Sequence, residues 1–219
     1  MKNIPVFTAA GGTATLILRE IPKCGRAYVI LQTHTPGMEC EQVSDCAAFC
    51  RMAGAIEIYV STADGTQLDL PHSHDMLRLA LERVKLLAPR QDILLQPLTA
   101  DTEAFYIEHF NRRFSPIHNA AMTDHRSLQS ASMNGSLQFL AYHDDRFIGL
   151  GSIRDNTLEA IATIEPGWGR NLAYALLAKT IGDPIELTVC SINTPALRLY
   201  HSIGFTQQEV VSRWYKIEK

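Results

Sequence analysis

Apolar and polar positions alternate over short stretches of this chain and fall at helical spacing over a few longer ones. Thr13–Arg19 and Ala27–Gln32 are rich in β-branched and large apolar residues and flank a Pro22–Gly25 turn, which predicts two strands. Glu41–Ala53 places Val43, Ala47, Cys50 and Met52 on one helical face and stops at Gly54, which predicts a helix. Ile56–Val60 alternates and predicts a strand. Pro71–Leu87 carries Met76, Leu77, Leu79, Ala80, Leu81, Val84 and Leu87, and reads as a helix with a broad apolar face. Pro89-Arg90-Gln91 reads as a boundary. The expected organisation is a smaller α/β half over residues 1–90 and a second domain over residues 91–219.

Past that boundary, Ile93–Leu98 predicts a strand and Thr99–Arg113 a helix capped near Asp101 or Thr102. Ser115–Gly135 is polar, with room for one short helix. Leu137–Tyr142, Arg146–Ile153 and Thr157–Ile164 are separated by His143-Asp144-Asp145 and Arg154-Asp155-Asn156, which predicts an antiparallel meander. Asn171–Ile181 has Leu172, Leu176, Leu177 and Ile181 at near-helical spacing. Ile185–Cys190 reads as a buried strand. Thr194 and Pro195, as N-cap and N1, open a last helix that Gly204 ends, and Gln207–Ile217 supplies one or two final strands. The expected fold class is α/β of the α+β type: a mixed, mostly antiparallel sheet flanked by helices.

Composition narrows the function. The 219 residues are 46% hydrophobic and 20% charged, which fits a globular chain of one or two domains and excludes a disordered chain, a collagen or a coiled coil. No stretch approaches the ~20 apolar residues of a membrane span. A net charge of −3 gives no electrostatic reason to coat nucleic acid. Met1-Lys2-Asn3-Ile4-Pro5 lacks an apolar signal core, so a cytoplasmic location is expected. The five cysteines, Cys24, Cys40, Cys46, Cys50 and Cys190, are an odd count and are expected to be reduced thiols. Cys46 and Cys50 share a helix face and read as buried. His72 and His74 form a lone His-x-His without a third ligand at a readable spacing, so no metal is expected.

Two segments share a spelling. Pro36-Gly37-Met38 leads into a helix ending at Gly54 and then Ile56–Ser61; Pro166-Gly167-Trp168 leads into a helix ending near Gly182 and then Ile185–Ser191. Each reads strand, Pro-Gly turn, helix, Gly, strand. The first helix opens with Glu39 and Glu41, which would repel a phosphate. The second opens with Gly169, Arg170 and Asn171, whose backbone N–H groups and positive charge suit an anion. Only the second copy is fit to receive a diphosphate, although a plain strand-to-helix connection has the same spelling.

The strand Ile185–Cys190 runs into Asn193-Thr194-Pro195-Ala196-Leu197-Arg198-Leu199-Tyr200 and then Gly204-Phe205. This order resembles the GNAT acyltransferase superfamily, and Ser212-Arg213-Trp214-Tyr215-Lys216 resembles its last strand. The resemblance spans Ile93–Lys219. The family's diphosphate loop, usually Arg/Gln-x-x-Gly-x-Gly/Ala, matches Trp168, Gly169, Arg170, Asn171, Leu172 and Ala173, with Trp168 in the place of Arg or Gln and Asn171 in the place of Gly.

The resemblance implies an N-acyltransferase whose co-substrate is an acyl-CoA, most simply acetyl-CoA, with direct attack by an amine on the thioester and no metal. It places the pantetheine arm beside Ala162, Thr163 and Ile164, the diphosphate on the loop, and the cofactor near Asn193 and Ala196. Tyr200 takes the position of the general acid. Glu159, the only carboxylate inside Thr157–Ile164, is the candidate base, with Asp155 and Glu165 behind it. The implied acceptor is a small-molecule or peptide amine, without nucleic acid or membrane partners, and a homodimer stays open. Locally, Tyr200 also reads as a core residue, Asn193 as a helix cap and Glu159 as a solvated surface group. The alternative at the level of function is a catalytically inactive GNAT-fold acyl-CoA-binding or interaction protein. The N-terminal half would be a trimmed, degenerate copy.

Overall fold

Where the chain alternates, it pairs. Strands β1 (Val6–Ala9) and β2 (Gly12–Ile17) form a hairpin, a single helical turn α1 (Ile21–Cys24) follows, and β3 (Arg26–His34) returns antiparallel to β2. Helix α2 (Glu39–Met52) then crosses to β4 (Glu57–Thr62), which lies parallel to β3. The computed structural model describes residues 6–9, 11–87 and 92–218. They fall into two units, Met1–Met76 with Val210–Lys219, and Leu77–Glu209. The strands β5 (His72–Leu81) and β11 (Thr206–Lys216) each contribute a part to both.

In the first unit the strand order is β1-β2-β3-β4-β11-β5. Val43, Cys46, Ala47 and Cys50 of α2 pack on Ala14, Leu16, Val29, Leu31 and Ile58. Burial pushes the Cys46 and Cys50 thiols up to about 11, so both are protonated packing residues at neutral pH. A second apolar cluster holds Tyr28 5.7 Å from Tyr59 and 5.5 Å from Trp214.

In the second unit the order is β11-β5-β10-β9-β8-β7-β6, with β6 (Leu94–Pro97), β7 (Leu137–His143), β8 (Arg146–Arg154), β9 (Thr157–Thr163) and β10 (Ile185–Cys190). Helices α3 (Glu103–Phe114) and α4 (His125–Met133) precede the meander, α5 (Gly169–Leu177) connects β9 to β10, and α6 (Thr194–Ile203) follows β10. Leu172, Ala173, Leu176 and Leu177 of α5 pack on Ile153, Leu158, Leu187 and Val189. Two glycines of β8 let α5 approach the sheet. A Cβ at Gly151 would sit 2.3 Å from a Leu176 methyl, and one at Gly149 2.4 Å from the Ala162 carbonyl oxygen. Close packing at both positions fixes where the N-terminus of α5 meets the end of β9.

The fold class is the expected one, α+β with a mixed, mostly antiparallel sheet. Two expectations are corrected. Residues 72–81 of the expected helix Pro71–Leu87 are strand β5, because the buried positions Leu77, Leu79 and Leu81 recur every second residue with Arg78 outside. The boundary expected at Pro89-Arg90-Gln91 lies outside the described residues; those described divide within β5 and β11. Asn193, not Thr194, caps the last helix. Strand β1 was not expected at all. Among the described residues, no helix is long and apolar enough to cross a membrane.

Candidate functional site

The second unit is built around an incomplete strand pair. β9 is in register with β8 from Arg154↔Thr157 to Gly149↔Thr163. With β10 it pairs, parallel, only at Glu186↔Thr157 and Leu187↔Leu158. One end is firmly tied. Ile181 N–H donates to the Asp155 carbonyl (2.8 Å), Glu186 N–H to the Asn156 carbonyl (2.9 Å) and the Asn156 side chain to the Pro184 carbonyl (2.7 Å). Arg83 adds bonds to the carbonyls of Thr180 (3.0 Å) and Gly182 (2.9 Å). Beyond Leu158 the β10-facing edge of β9 has no ladder partner among the described residues.

A β-bulge marks the parting point. Ile153 opposes Leu158 and Ser152 opposes Ala160, so Glu159 is the extra residue. Its Oε1 pairs with Arg154 at 3.0 Å, and its Oε2 accepts from the Ser136 hydroxyl. Gln138 Nε2 donates to Ser136 Oγ at 2.8 Å. Ser136, Gln138 and Ser152 are buried, as is Tyr106, whose hydroxyl shares a hydrogen bond with Ser152. None of these four was anticipated; they come together only through sheet register.

The far end of the open edge meets α5. Ile164 N–H donates to the Ile148 carbonyl (2.9 Å), and the Arg113 guanidinium donates to the Ile164 carbonyl. Arg146 neutralises Glu165. Gly167 has φ +92°, a conformation that favours glycine, and a Cβ there would meet open space. The first bond of α5 runs from Leu172 N–H to the Trp168 carbonyl (2.9 Å), Trp168 provides no side-chain cap, and the first turn holds no acid. The N–H groups of Gly169 and Arg170 therefore have no acceptor within the helix, and the helix dipole favours an anion there.

The remaining candidates divide between half-buried or exposed positions and the core. Ala162, Thr163, Ile164 and Ala196 are half-buried. So is Trp168, whose ring lies 4.7 Å from that of His143. Arg170 is exposed. Leu172 and Ala173 are fully buried and can offer only backbone. Gly169 approaches α6, where a Cβ would be 3.5 Å from Leu199. Asn193 Oδ1 accepts the Ala196 N–H at 3.3 Å and caps α6. Tyr200 is 8% exposed and stands edge-on to Phe205 at 5.8 Å, in the same apolar cluster as Leu187 and Ile203. Burial holds its phenol above the ordinary value of 10, so it stays protonated. Elsewhere, His72 pairs with Asp75 (3.0 Å) and His74 is buried against Trp214, so the two do not converge.

No family model matches this sequence, and no curated protein matches it. Solved structures do match its fold. A functionally unknown conserved protein from Staphylococcus epidermidis aligns with TM-score 0.63 at 13% identity, over 99% of this chain and 94% of that one. A GCN5-related N-acetyltransferase from Sphaerobacter thermophilus aligns with TM-score 0.60 at 17% identity, over 94% of this chain and 76% of that one. A tandem GNAT protein from the clavulanic acid biosynthesis pathway aligns with TM-score 0.56 at 15% identity, over 94% and 78%. The chain thus has a GNAT-like fold, and the tandem protein fits an arrangement of two halves.

Proposed function

We propose that the unit Leu77–Glu209 is an acyl-CoA-dependent N-acyltransferase, most simply an acetyltransferase. The observation that carries the reading is the parting of β9 from β10 at a bulge, with an uncapped helix N-terminus at the other end of the open edge. From Glu159 to Ile164 is about 17 Å of strand at ~3.3 Å per residue. Along it, backbone amides are available to a pantetheine arm, and the N–H groups of Gly169 and Arg170 with the Arg170 guanidinium suit a diphosphate. Arg146 takes up the negative charge of Glu165 beside that mouth.

The chemistry asks little of the protein, because a thioester is already activated; holding amine and thioester together supplies most of the effect. Glu159 at the parting point accepts a proton from the incoming ammonium. The protonated Tyr200 phenol donates to the leaving sulfur. The acceptor is a small-molecule or peptide amine. Purified protein with acetyl-CoA and a panel of amines releases free CoA on this reading, and Tyr200→Phe slows release about 100-fold with CoA affinity kept.

A second reading is favoured by the burial of Tyr200 in the apolar cluster: an acyl-CoA-binding protein without turnover. There CoA raises Tm, no amine releases CoA, and Tyr200→Phe changes nothing but packing.

A further inference from the structure

The bulge residue Glu159 is held by an ordered chain of side chains rather than by solvent alone. The Gln138 amide nitrogen can only donate, so Ser136 Oγ is the acceptor in that pair, at 2.8 Å. A serine hydroxyl carries one proton, and it is directed at Glu159 Oε2. Ser136 is 3% and Gln138 8% exposed, so water has little access to compete for these bonds. The partner of Oε1 differs in kind: the Arg154 side chain is 46% exposed, on the last residue of β8, and can yield to an incoming group. One oxygen of the carboxylate is therefore fixed from within the sheet and the other faces an exchangeable partner.

We propose that Ser136 and Gln138 are positioning residues for Glu159: they fix Oε2 against the sheet, so that Oε1 takes the proton of the acceptor ammonium as Arg154 swings aside. The proposal rests on the acyl-transfer reading above. In this step one ammonium N–H bond breaks, a Glu159 Oε1–H bond forms, and the freed nitrogen pair attacks the thioester carbonyl. The C–S bond then breaks as Tyr200 gives its proton to the sulfur, the second proton of the attacking nitrogen restores the phenol, and the proton on Glu159 passes to water.

The test uses the full chain with acetyl-CoA and an amine that it acylates. Ser136→Ala lowers kcat about tenfold, the scale of a modest misplacement of a reacting group, with acceptor KM and CoA affinity near wild type, while Tm falls because the buried Gln138 amide loses its acceptor. Ser136→Thr, which keeps a hydroxyl, restores kcat. In a crystal structure of Ser136→Ala the Glu159 carboxylate turns toward Arg154. Wild-type kcat in Ser136→Ala beside an inactive Glu159→Gln overturns the relay and leaves acyl transfer standing, as does a carboxylate that stays in place. Wild-type turnover in Glu159→Gln overturns the base and the relay together. A chain that acylates no amine overturns the acyl-transfer reading itself, and the relay with it.

Discussion

The chain contains two strand–helix–strand modules with parallel outer strands, β3–α2–β4 and β9–α5–β10, and they differ in one respect that decides what each can do. β3 and β4 stay in register through six residue pairs, from Arg26↔Glu57 to Leu31↔Thr62. β9 and β10 separate after two. The helix termini differ in the same sense. Glu39 and Glu41 occupy the first turn of α2, and Glu39 also accepts the Gly37 N–H at 2.8 Å, so the module supplies its own anion. His34 at the end of β3 spans Glu39 (3.3 Å) and Asp64 (3.1 Å), joining the start of α2 to the loop after β4. The first turn of α5 has no acid and its strands leave an open edge. One topology thus yields a closed strand pair or an open strand edge. The choice lies in strand register and in the charge on one helical turn.

Exchanging that charge removes most of the difference between the two helix termini. Gly169→Glu with Asn171→Glu copies onto α5 the acidic positions of α2. A Cβ at Gly169 meets Leu199 at an ordinary 3.5 Å, so the fold tolerates it. On the proposed function, affinity for CoA, read by calorimetry, falls about 100-fold or more, because two carboxylates stand where that proposal docks the diphosphate. Stability holds or rises by a few tenths to about 1 kcal/mol per acid, since carboxylates suit a helix N-terminus. The reverse change in α2, Glu39→Gly with Glu41→Asn, gains no CoA binding, because β3 and β4 remain paired.

Tyr200 sharpens the comparison through pH. Its phenol is held above 10 by burial, so the protonated form, which the proposed mechanism uses as donor, is the one present. Lowering the pH adds no proton to it, and raising the pH to 9 removes none. The alkaline limb of kcat/KM between pH 7 and 9 is therefore the same shape in wild type and in Tyr200→Phe, at a level about 100-fold apart. A limb that vanishes in the variant contradicts this role.

The glycine contacts that seat α5 are next. Gly151→Ala places a methyl where the Leu176 side chain and the Ala160 carbonyl stand, at 2.3 and 2.9 Å, and destabilises by about 1–3 kcal/mol in denaturant unfolding. Because the same contacts seat the α5 terminus on which the proposed function docks CoA, CoA affinity falls with it.

The smallest effect belongs to the closed module. Asp64 accepts the Thr66 N–H at 3.0 Å, and this bond, before the nearby His34, holds its carboxyl down at about 2. A depressed folded value gives stability that is present above the ordinary 3.8 and is lost as pH falls toward 2. Asp64→Asn shrinks the drop in Tm between pH 5 and pH 2; an unchanged drop rules out the contribution.

Much of this was legible in the residues. The segment from Ile185 through Phe205 carries a strand, a capped helix and a closing glycine in local spelling, and it folds accordingly. The α5 turn was legible for the same reason: Pro166, Gly167 and the missing first-turn acids are local signals. The β5 segment was not, because Met76–Leu81 is apolar enough to suit either period until Leu77, Leu79 and Leu81 are seen facing one core. The bulge at Glu159 and the early parting of β9 from β10 depend on register between distant strands, which no local pattern encodes. Ser136 and Gln138 were invisible as site residues because a serine and a glutamine announce nothing until the sheet brings them to Glu159.

A diffraction structure of the crystallised chain soaked with CoA tests the central claim most directly. The account predicts the diphosphate on the N–H groups of Gly169 and Arg170, the pantetheine arm along Ala160–Thr163, and its sulfur near Glu159 and Tyr200. Density for CoA on any other surface, or β9 and β10 found paired past Leu158 and Leu187, would contradict it.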